Sequence, residues 1–158
     1  MLAALKQFLN EFTEGEKSPA RFDDNDYRLA AAALLVHTAM IDGGMSDAER
    51  KRLHGLIMQR FTLDADAADE LIREATEVEQ EAVDLYGFTS LINRSVDEEG
   101  RCRIVEMMWQ VVYADSEVSE FEDNLIWRAA DLLGVSRRVR IGLRRQVASE
   151  QGGSDPAK

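Results

Sequence analysis

The chain has 158 residues, of which 45% are apolar and 31% are charged, a balance typical of a folded domain rather than a disordered chain. Thirty acidic residues against nineteen basic ones give a formal net charge of −11. Because such a chain repels phosphate backbones, general nucleic-acid binding is excluded. The single cysteine, Cys102, excludes a disulfide within the chain and a cysteine-based zinc site, and it predicts a cytoplasmic, reducing environment.

The first segment of the chain, residues 1–25, is predicted to be an amphipathic helix followed by a linker. No apolar run approaches the ~20 residues that a membrane helix needs, so no transmembrane segment is predicted. A helix here would either pack on its own domain or be offered to a partner or a membrane surface. Its apolar face is formed by Leu2, Leu5, Phe8, Leu9 and Phe12.

The main domain is predicted to span residues 26–149 and to be all-α, with residues 150–158 as a flexible tail. Glycine and proline are sparse inside it, and the apolar–polar alternation of β-strands is almost absent. We therefore expect a compact domain of about seven to eight helices. The predicted segments are 26–42, 46–61, 64–80, 84–95, 98–114, 119–133 and 136–149.

Two of these segments are apolar on nearly every side. Residues 29–41 are interrupted only by His37 and Thr38, and residues 104–114 only by Glu106 and Gln110. A helix of this kind is buried, so the pair is predicted to form the centre of the fold. The amphipathic helices would surround them, with apolar faces such as Leu53, Leu56, Ile57 and Phe61, or Leu125, Ile126, Ala129 and Leu133.

The chain also contains an internal repeat, whose halves cover about residues 26–80 and 98–149. In each half a buried helix runs into an acidic turn and then into a second helix. A constant offset of 73 residues aligns five positions, which indicates a duplication and predicts a pseudo-twofold arrangement. The aligned pairs are Asp42 with Asp115, Met45 with Val118, Ser46 with Ser119, Glu49 with Glu122 and Leu53 with Ile126.

The serine and glutamate of each repeat have the spacing of a capping box. In this motif the serine oxygen accepts the backbone N–H of the third helical residue, and the glutamate accepts the N–H of the serine. Met45 and Val118 precede the two serines, where a hydrophobic staple would lie, and Gly43 suits the residue that closes a helix. These residues can therefore be wholly structural.

Capping does not explain Asp42 and Asp115, because the C-terminal end of a helix dipole disfavours acidic side chains. Two interpretations are open: the aspartates form the turns, or they join Glu49 and Glu122 to bind a divalent cation (Ca, Mg or Mn) through oxygen ligands. The spacing from Asp to Glu is shorter than the twelve-residue loop of an EF-hand, so each loop offers few ligands.

The duplicated unit resembles the tellurite-resistance TerB family, whose name records a phenotype rather than a reaction. The match covers about residues 25–148 and is most specific in VVYADSEVSEFEDNLIWRAADLLGVS. The first copy keeps Asp42 and Gly43, whereas the second has Ser116 where glycine is usual. The resemblance implies an all-α fold of two pseudo-symmetric halves, a bacterial stress response, acidic metal sites and a membrane-associated protein partner near the inner membrane.

The resulting prediction is a non-catalytic interaction module with a candidate cation site at Asp42, Glu49, Asp115 and Glu122. The alternative is a hydrolase-like, metal-dependent enzyme, which requires the two loops, or one loop and the acidic residues 97–99, to converge. Residues 136–149 carry five arginines, predicted to pair either with the protein's own carboxylates or with an acidic partner. The same residues contain an apolar stripe of Val139, Leu143 and Val147. The acidic side chains between Glu74 and Asp84 are predicted to form a solvated face.

Overall fold

The computed structural model describes residues 22–23, 26–41, 43–115 and 118–152, with the backbone alone at 115 and 152. Within these ranges the chain is all-α, as predicted, and no helix there is long and apolar enough to cross a membrane. The amphipathic segment of residues 2–12 lies outside the described residues. The helices are α1 (Tyr27–Met40), α2 (Asp47–Phe61), α3 (Ala65–Glu81), α4 (Tyr86–Ser95), α5 (Glu98–Val112), α6 (Glu120–Leu132) and α7 (Arg137–Gly152).

Several helices begin at an aspartate whose carboxylate accepts a backbone N–H of the first turn. Asp26 opens α1, Asp64 opens α3 and Asp97 opens α5, with donor–acceptor distances of 2.8–2.9 Å. These bonds satisfy amides that have no partner within the helix. At α1 the Arg28 guanidinium also donates to Asp26 and lowers the pKa of that carboxyl.

The centre of the fold is formed by α1 and α5, which pack against each other. Residues 29–36 of α1 are all buried, and so are residues 104–112 of α5. The prediction that these two apolar helices are central is therefore confirmed. Such burial around the whole circumference is possible only because amphipathic helices cover both of them.

The packing of the helices follows the internal repeat. In the first half α1 contacts α2 and α3, and in the second half α5 contacts α6 and α7. The halves also exchange contacts, because α2 packs on α5 and α6 packs on α1. This reciprocal pattern is the pseudo-symmetric arrangement that the repeat predicted. The helix α4 lies between the two halves in sequence and packs on α1 and α6.

The structure adds detail to three local expectations. Helix α7 continues to Gly152, three residues beyond the predicted start of the tail, because Ser149, Glu150 and Gln151 do not interrupt a helix. Within the apolar stripe of this helix, Leu143 and Val147 are buried, whereas Val139 is 41% exposed. Glu74 is only 6% exposed and does not belong to a solvated face.

Candidate functional site

Both repeat copies form the predicted capping box at the start of their second helix. At α2 the Ser46 hydroxyl accepts the Glu49 N–H at 3.0 Å, and Glu49 Oε1 accepts the Ser46 N–H at 2.9 Å. At α6 the corresponding distances between Ser119 and Glu122 are 3.1 and 2.9 Å. The duplication therefore extends from sequence to hydrogen-bond geometry.

The two capping glutamates are also buried, since Glu49 and Glu122 are each only 2% exposed. A buried carboxylate is costly unless it is hydrogen-bonded or faces positive charge. The N-terminal end of each helix dipole supplies such an environment in addition to the serine N–H. Each of these residues also takes part in a further interaction within the chain. The fold thus holds two equivalent carboxylates in fixed positions.

Removing either cap should lower stability by a similar amount. We expect Ser46→Ala and Ser119→Ala each to reduce the free energy of unfolding by about 1 kcal/mol, because the N–H of the third helical residue loses its acceptor. Urea denaturation of each variant measures the loss. Ser149→Ala is the matched control, since Ser149 is exposed within α7 and alanine favours helix there. A stability loss no larger than that of the control would remove the capping interpretation.

The turns before the caps differ between the two copies. In the first, Gly43 donates its N–H to the Met40 carbonyl at 3.1 Å and has a φ of +117°, which favours glycine as predicted. In the second, α5 continues into a 3-10 turn, Tyr113–Asp115. Met45 and Val118 are half-buried against the core, but the N4 residues that a hydrophobic staple would use are the charged Arg50 and Asp123, so the predicted staples are not formed.

The aspartates of the candidate cation site are at the edge of what the structure describes. Asp42 lies outside the described residues, as does the side chain of Asp115. The backbone of Asp115 ends the 3-10 turn, and this turn packs against α2, the helix that the first loop opens. The 3-10 turn that precedes the second acidic loop therefore lies beside the helix that carries Glu49. Whether the aspartate side chains converge stays a prediction.

The described acidic residues limit which groups could form the metal site of the alternative function, a metal-dependent enzyme. Among them, no three His, Cys, Asp or Glu side chains are grouped so that they could hold a metal. Asp97, Glu98 and Glu99 lie at the N-terminal end of α5, and the second loop follows its C-terminal end. At ~1.5 Å per residue these ends are roughly 20 Å apart. The carboxylates of Asp97, Glu98 and Glu99 are therefore too far from Asp115 to share one metal ion with it.

The one cysteine does not have the environment of a nucleophile. Cys102 lies in the first turns of α5 and is partly buried. Burial, followed by the negative charge of Glu98, raises the pKa of its thiol above the ordinary value. Because the thiolate is the reactive form, this shift lowers its reactivity at neutral pH.

Polar residues of the central helices form hydrogen bonds with residues of the outer helices. The sequence analysis did not predict these contacts. His37 Nδ1 lies 2.8 Å from Glu79 Oε1 on α3, and the two line a small cavity of about 150 Å³ together with Asp84 and Arg128. The His37 side chain is 31% exposed, although it lies on a central helix. Its partner is 42 residues away, so no local pattern could have identified it.

The most connected of these residues is Glu106 of α5, which is 3% exposed. Its Oε1 accepts hydrogen bonds from Arg60 of α2 and from Arg103, both at 3.0 Å. Gln146 of α7 donates to Oε2 at 3.4 Å. The only sequence signal was a charged residue within an apolar helix. Glu106 links α2, α5 and α7 and has a structural role.

The arginines of α7 are partly used within the protein itself. Arg144 donates to Asp123 at 2.9 Å and to the Tyr113 hydroxyl at 2.9 Å. Its guanidinium carbon also lies 5.0 Å from the centre of the Trp109 ring. Of the two predicted uses of these arginines, pairing with the protein's own carboxylates is the one that Arg144 shows.

Comparison with known proteins gave one match. A family model described as tellurite resistance protein TerB matches residues 28–145, about three quarters of the chain. This range includes both capping boxes and both central helices. No curated protein and no solved structure matched the chain.

Proposed function

Because the chain belongs to the TerB family, we propose that it is a non-catalytic interaction module whose two acidic loops bind a divalent cation. The observation that carries the proposal is the duplicated cap, which holds Glu49 and Glu122 buried in equivalent geometry. Asp42 and Asp115 precede these glutamates by the same number of residues. The four carboxylates are the proposed cation ligands.

The chemistry of hard cations supports this assignment. Calcium, magnesium and manganese bind carboxylate oxygens, and magnesium commonly uses one or two carboxylates and keeps several waters. A cation beside Asp42 or Asp115 would also compensate for an acidic side chain at the negative end of a helix dipole. Since each loop is short, we expect weak binding rather than the tight binding of an EF-hand.

The proposed setting follows from the family and from the composition. Within this proposal the module acts in a bacterial stress response, in the cytoplasm or at the inner surface of the membrane, and binds a membrane-associated protein partner. The single cysteine agrees with a reducing compartment.

Calorimetric titration with calcium, magnesium and manganese tests the proposal. For the natural chain we expect dissociation constants on the order of 10⁻⁴–10⁻³ M, the weak end of the range for calcium loops. The paired variant Asp42→Asn with Asp115→Asn should lose this binding, because it removes one carboxylate from each loop.

A matched control separates a specific site from the effect of net charge. Asp66→Asn with Asp131→Asn removes the same charge from exposed positions outside the loops. This control should bind each cation like the natural chain. Equal heats from the natural chain and the loop variant would contradict the proposal for these loops.

A further inference from the structure

An open groove lies between the start of α1, the end of α3 and the beginning of α4. Its volume is about 490 Å³, within the ~300–1,000 Å³ of typical binding pockets. Apolar side chains from all three helices line it, among them Leu29, Val78, Phe88 and Leu91. The last three are only partly buried. Covering such apolar surface stabilises a complex.

Two residues near the connection between α3 and α4 leave room in the groove. Val83 lines it and is 99% exposed. Gly87, in the first turn of α4, also lines it, and a Cβ built on Gly87 would meet no atom of the described residues within 4 Å. The groove therefore has space beside Gly87 for a side chain of another molecule.

The groove has an acidic rim. Glu81 and Asp84 line it and are exposed. Neither forms an ion pair with another residue that the structure describes, and no Lys or Arg is among the described lining residues. An acidic rim beside an apolar floor attracts a partner that is apolar on one face and positively charged next to it.

Basic residues around the groove do not cancel this charge. Arg28, at the start of α1, is paired with Asp26 at 2.7 Å. Arg128 lines a smaller adjoining cavity together with Glu79. Arg94 is exposed near the C-terminal end of α4, whereas the acidic rim lies before the N-terminal end of that helix. The groove is therefore acidic at the α3–α4 connection.

Charge also distinguishes the occupants that this chain could itself supply. Residues 1–21 contain three basic and three acidic side chains, which are Lys6, Lys17, Arg21, Glu11, Glu14 and Glu16. This segment has no net charge that complements the rim. A second copy has the same net charge of −11 as the first, so the two repel each other at long range. Both observations favour a basic partner over the chain itself.

We propose that the groove binds a basic amphipathic helix of a partner protein. Apolar residues at helical spacing on the partner pack against Val78, Phe88 and Leu91, and basic residues beside them face Glu81 and Asp84. Such a helix gives a chemical class to the protein partner of the proposed function, on which the inference rests. Its binding does not require a cation at the acidic loops.

A synthetic peptide tests this binding in the full chain. It has leucine at positions i, i+3, i+4 and i+7 of a helix and lysine beside them. In a nuclear magnetic resonance titration the amide signals of Val78, Val83 and Leu91 should shift, whereas those of Arg138 and Arg145 should not, because α7 packs on α5 and α6. The same peptide with glutamate in place of lysine should bind at least about tenfold more weakly. Equal binding of the two peptides, or absence of shifts in the groove, would overturn the proposal.

Two glycine substitutions show whether the groove is responsible. Gly87→Trp fills the groove and should weaken binding of the lysine peptide roughly tenfold or more, because the apolar anchors lose their space. Gly55→Trp adds the same side chain at an exposed position of α2, where a Cβ also meets no described atom within 4 Å. This control should bind like the natural chain. Equal affinities of the two variants would contradict binding in this groove.

The acidic rim has its own matched pair of variants. Glu81→Gln with Asp84→Asn should weaken peptide binding about two- to fivefold at low salt, the effect of exposed charges. Asp66→Asn with Asp131→Asn removes the same charge from exposed positions outside the groove and should leave the affinity unchanged. Equal affinities would show that net charge alone attracts the peptide and would overturn the role of the rim.

Analytical ultracentrifugation distinguishes a partner from a second copy. The natural chain and Gly87→Trp should have the same mass in solution. A larger mass for the natural chain would assign the groove to a second copy and overturn partner binding. The cation titration is independent of these measurements, so a chain that shows cation heats but no peptide binding contradicts the groove assignment alone.

Discussion

Replacing Trp109 by alanine is expected to lower the free energy of unfolding by about 3–5 kcal/mol, the usual cost of removing a buried aromatic side chain. Trp109 is 1% exposed in the central helix α5. Its ring lies 6.2 Å from that of Tyr113 and under the guanidinium of Arg144. Among the described residues the indole N–H has no hydrogen-bond partner, so the expected loss is assigned to packing. Domains are stable by only ~5–15 kcal/mol, so the effect is large.

The second tryptophan is a natural control for this experiment. Trp127 also lies under an arginine, with the Arg140 guanidinium carbon 5.6 Å from its ring centre, but it is 48% exposed. Trp127→Ala should therefore cost no more than about 1 kcal/mol, the value of an exposed cation–π contact. Urea unfolding followed by far-ultraviolet circular dichroism compares the variants without relying on tryptophan fluorescence. Equal losses at the two positions would contradict the assignment of α5 as a central helix.

The fold was largely predictable because its main signals are local. An apolar run such as residues 29–36 can be recognised from the sequence alone, and a helix that is apolar on all sides has to be buried. The capping boxes were predictable for the same reason, since Ser46 and Glu49 are only three residues apart. The repeat then indicated that the two halves have equivalent packing.

The contacts of individual polar side chains were not predictable, because their partners come from distant parts of the chain. His37 meets Glu79 across 42 residues, and Arg60 meets Glu106 across 46. Glu74 lies among acidic neighbours in the sequence, yet it faces inward where α3 packs on α1. Local charge pattern indicates exposure only when no neighbouring helix covers that face.

The candidate cation site depends both on local motifs, which the sequence predicts, and on contacts between distant parts of the chain, which it does not. The positions of Glu49 and Glu122 follow from their caps, which are local, and the structure shows them as predicted. Bringing Asp42 and Asp115 toward these glutamates depends on how two loops from different halves approach each other. Sequence spacing within one loop contains no information about that approach. This is why the proposed ligand set requires the titration and its paired variants.

Removing the hydrogen bond between Arg60 and Glu106 should produce the second large loss of stability. Arg60→Met is expected to lower the free energy of unfolding by about 1.5–3 kcal/mol, because the Glu106 carboxylate, 3% exposed, loses a charge-assisted hydrogen bond. Glu77→Gln is the control, because the ion pair of Glu77 with Arg73 lies on an exposed face. It should cost only about 0–1 kcal/mol.

Adding Glu106→Met to Arg60→Met tests the physical reason for that loss. If the cost of the single variant arises from a buried carboxylate with one partner fewer, the double variant should be more stable than Arg60→Met alone, since no buried charge remains. Arg103, which also donates to Glu106, is 44% exposed and can return to water. Chemical denaturation of the single and double variants gives the comparison. A double variant less stable than Arg60→Met would show that Glu106 stabilises the packing of α2, α5 and α7 independently of Arg60.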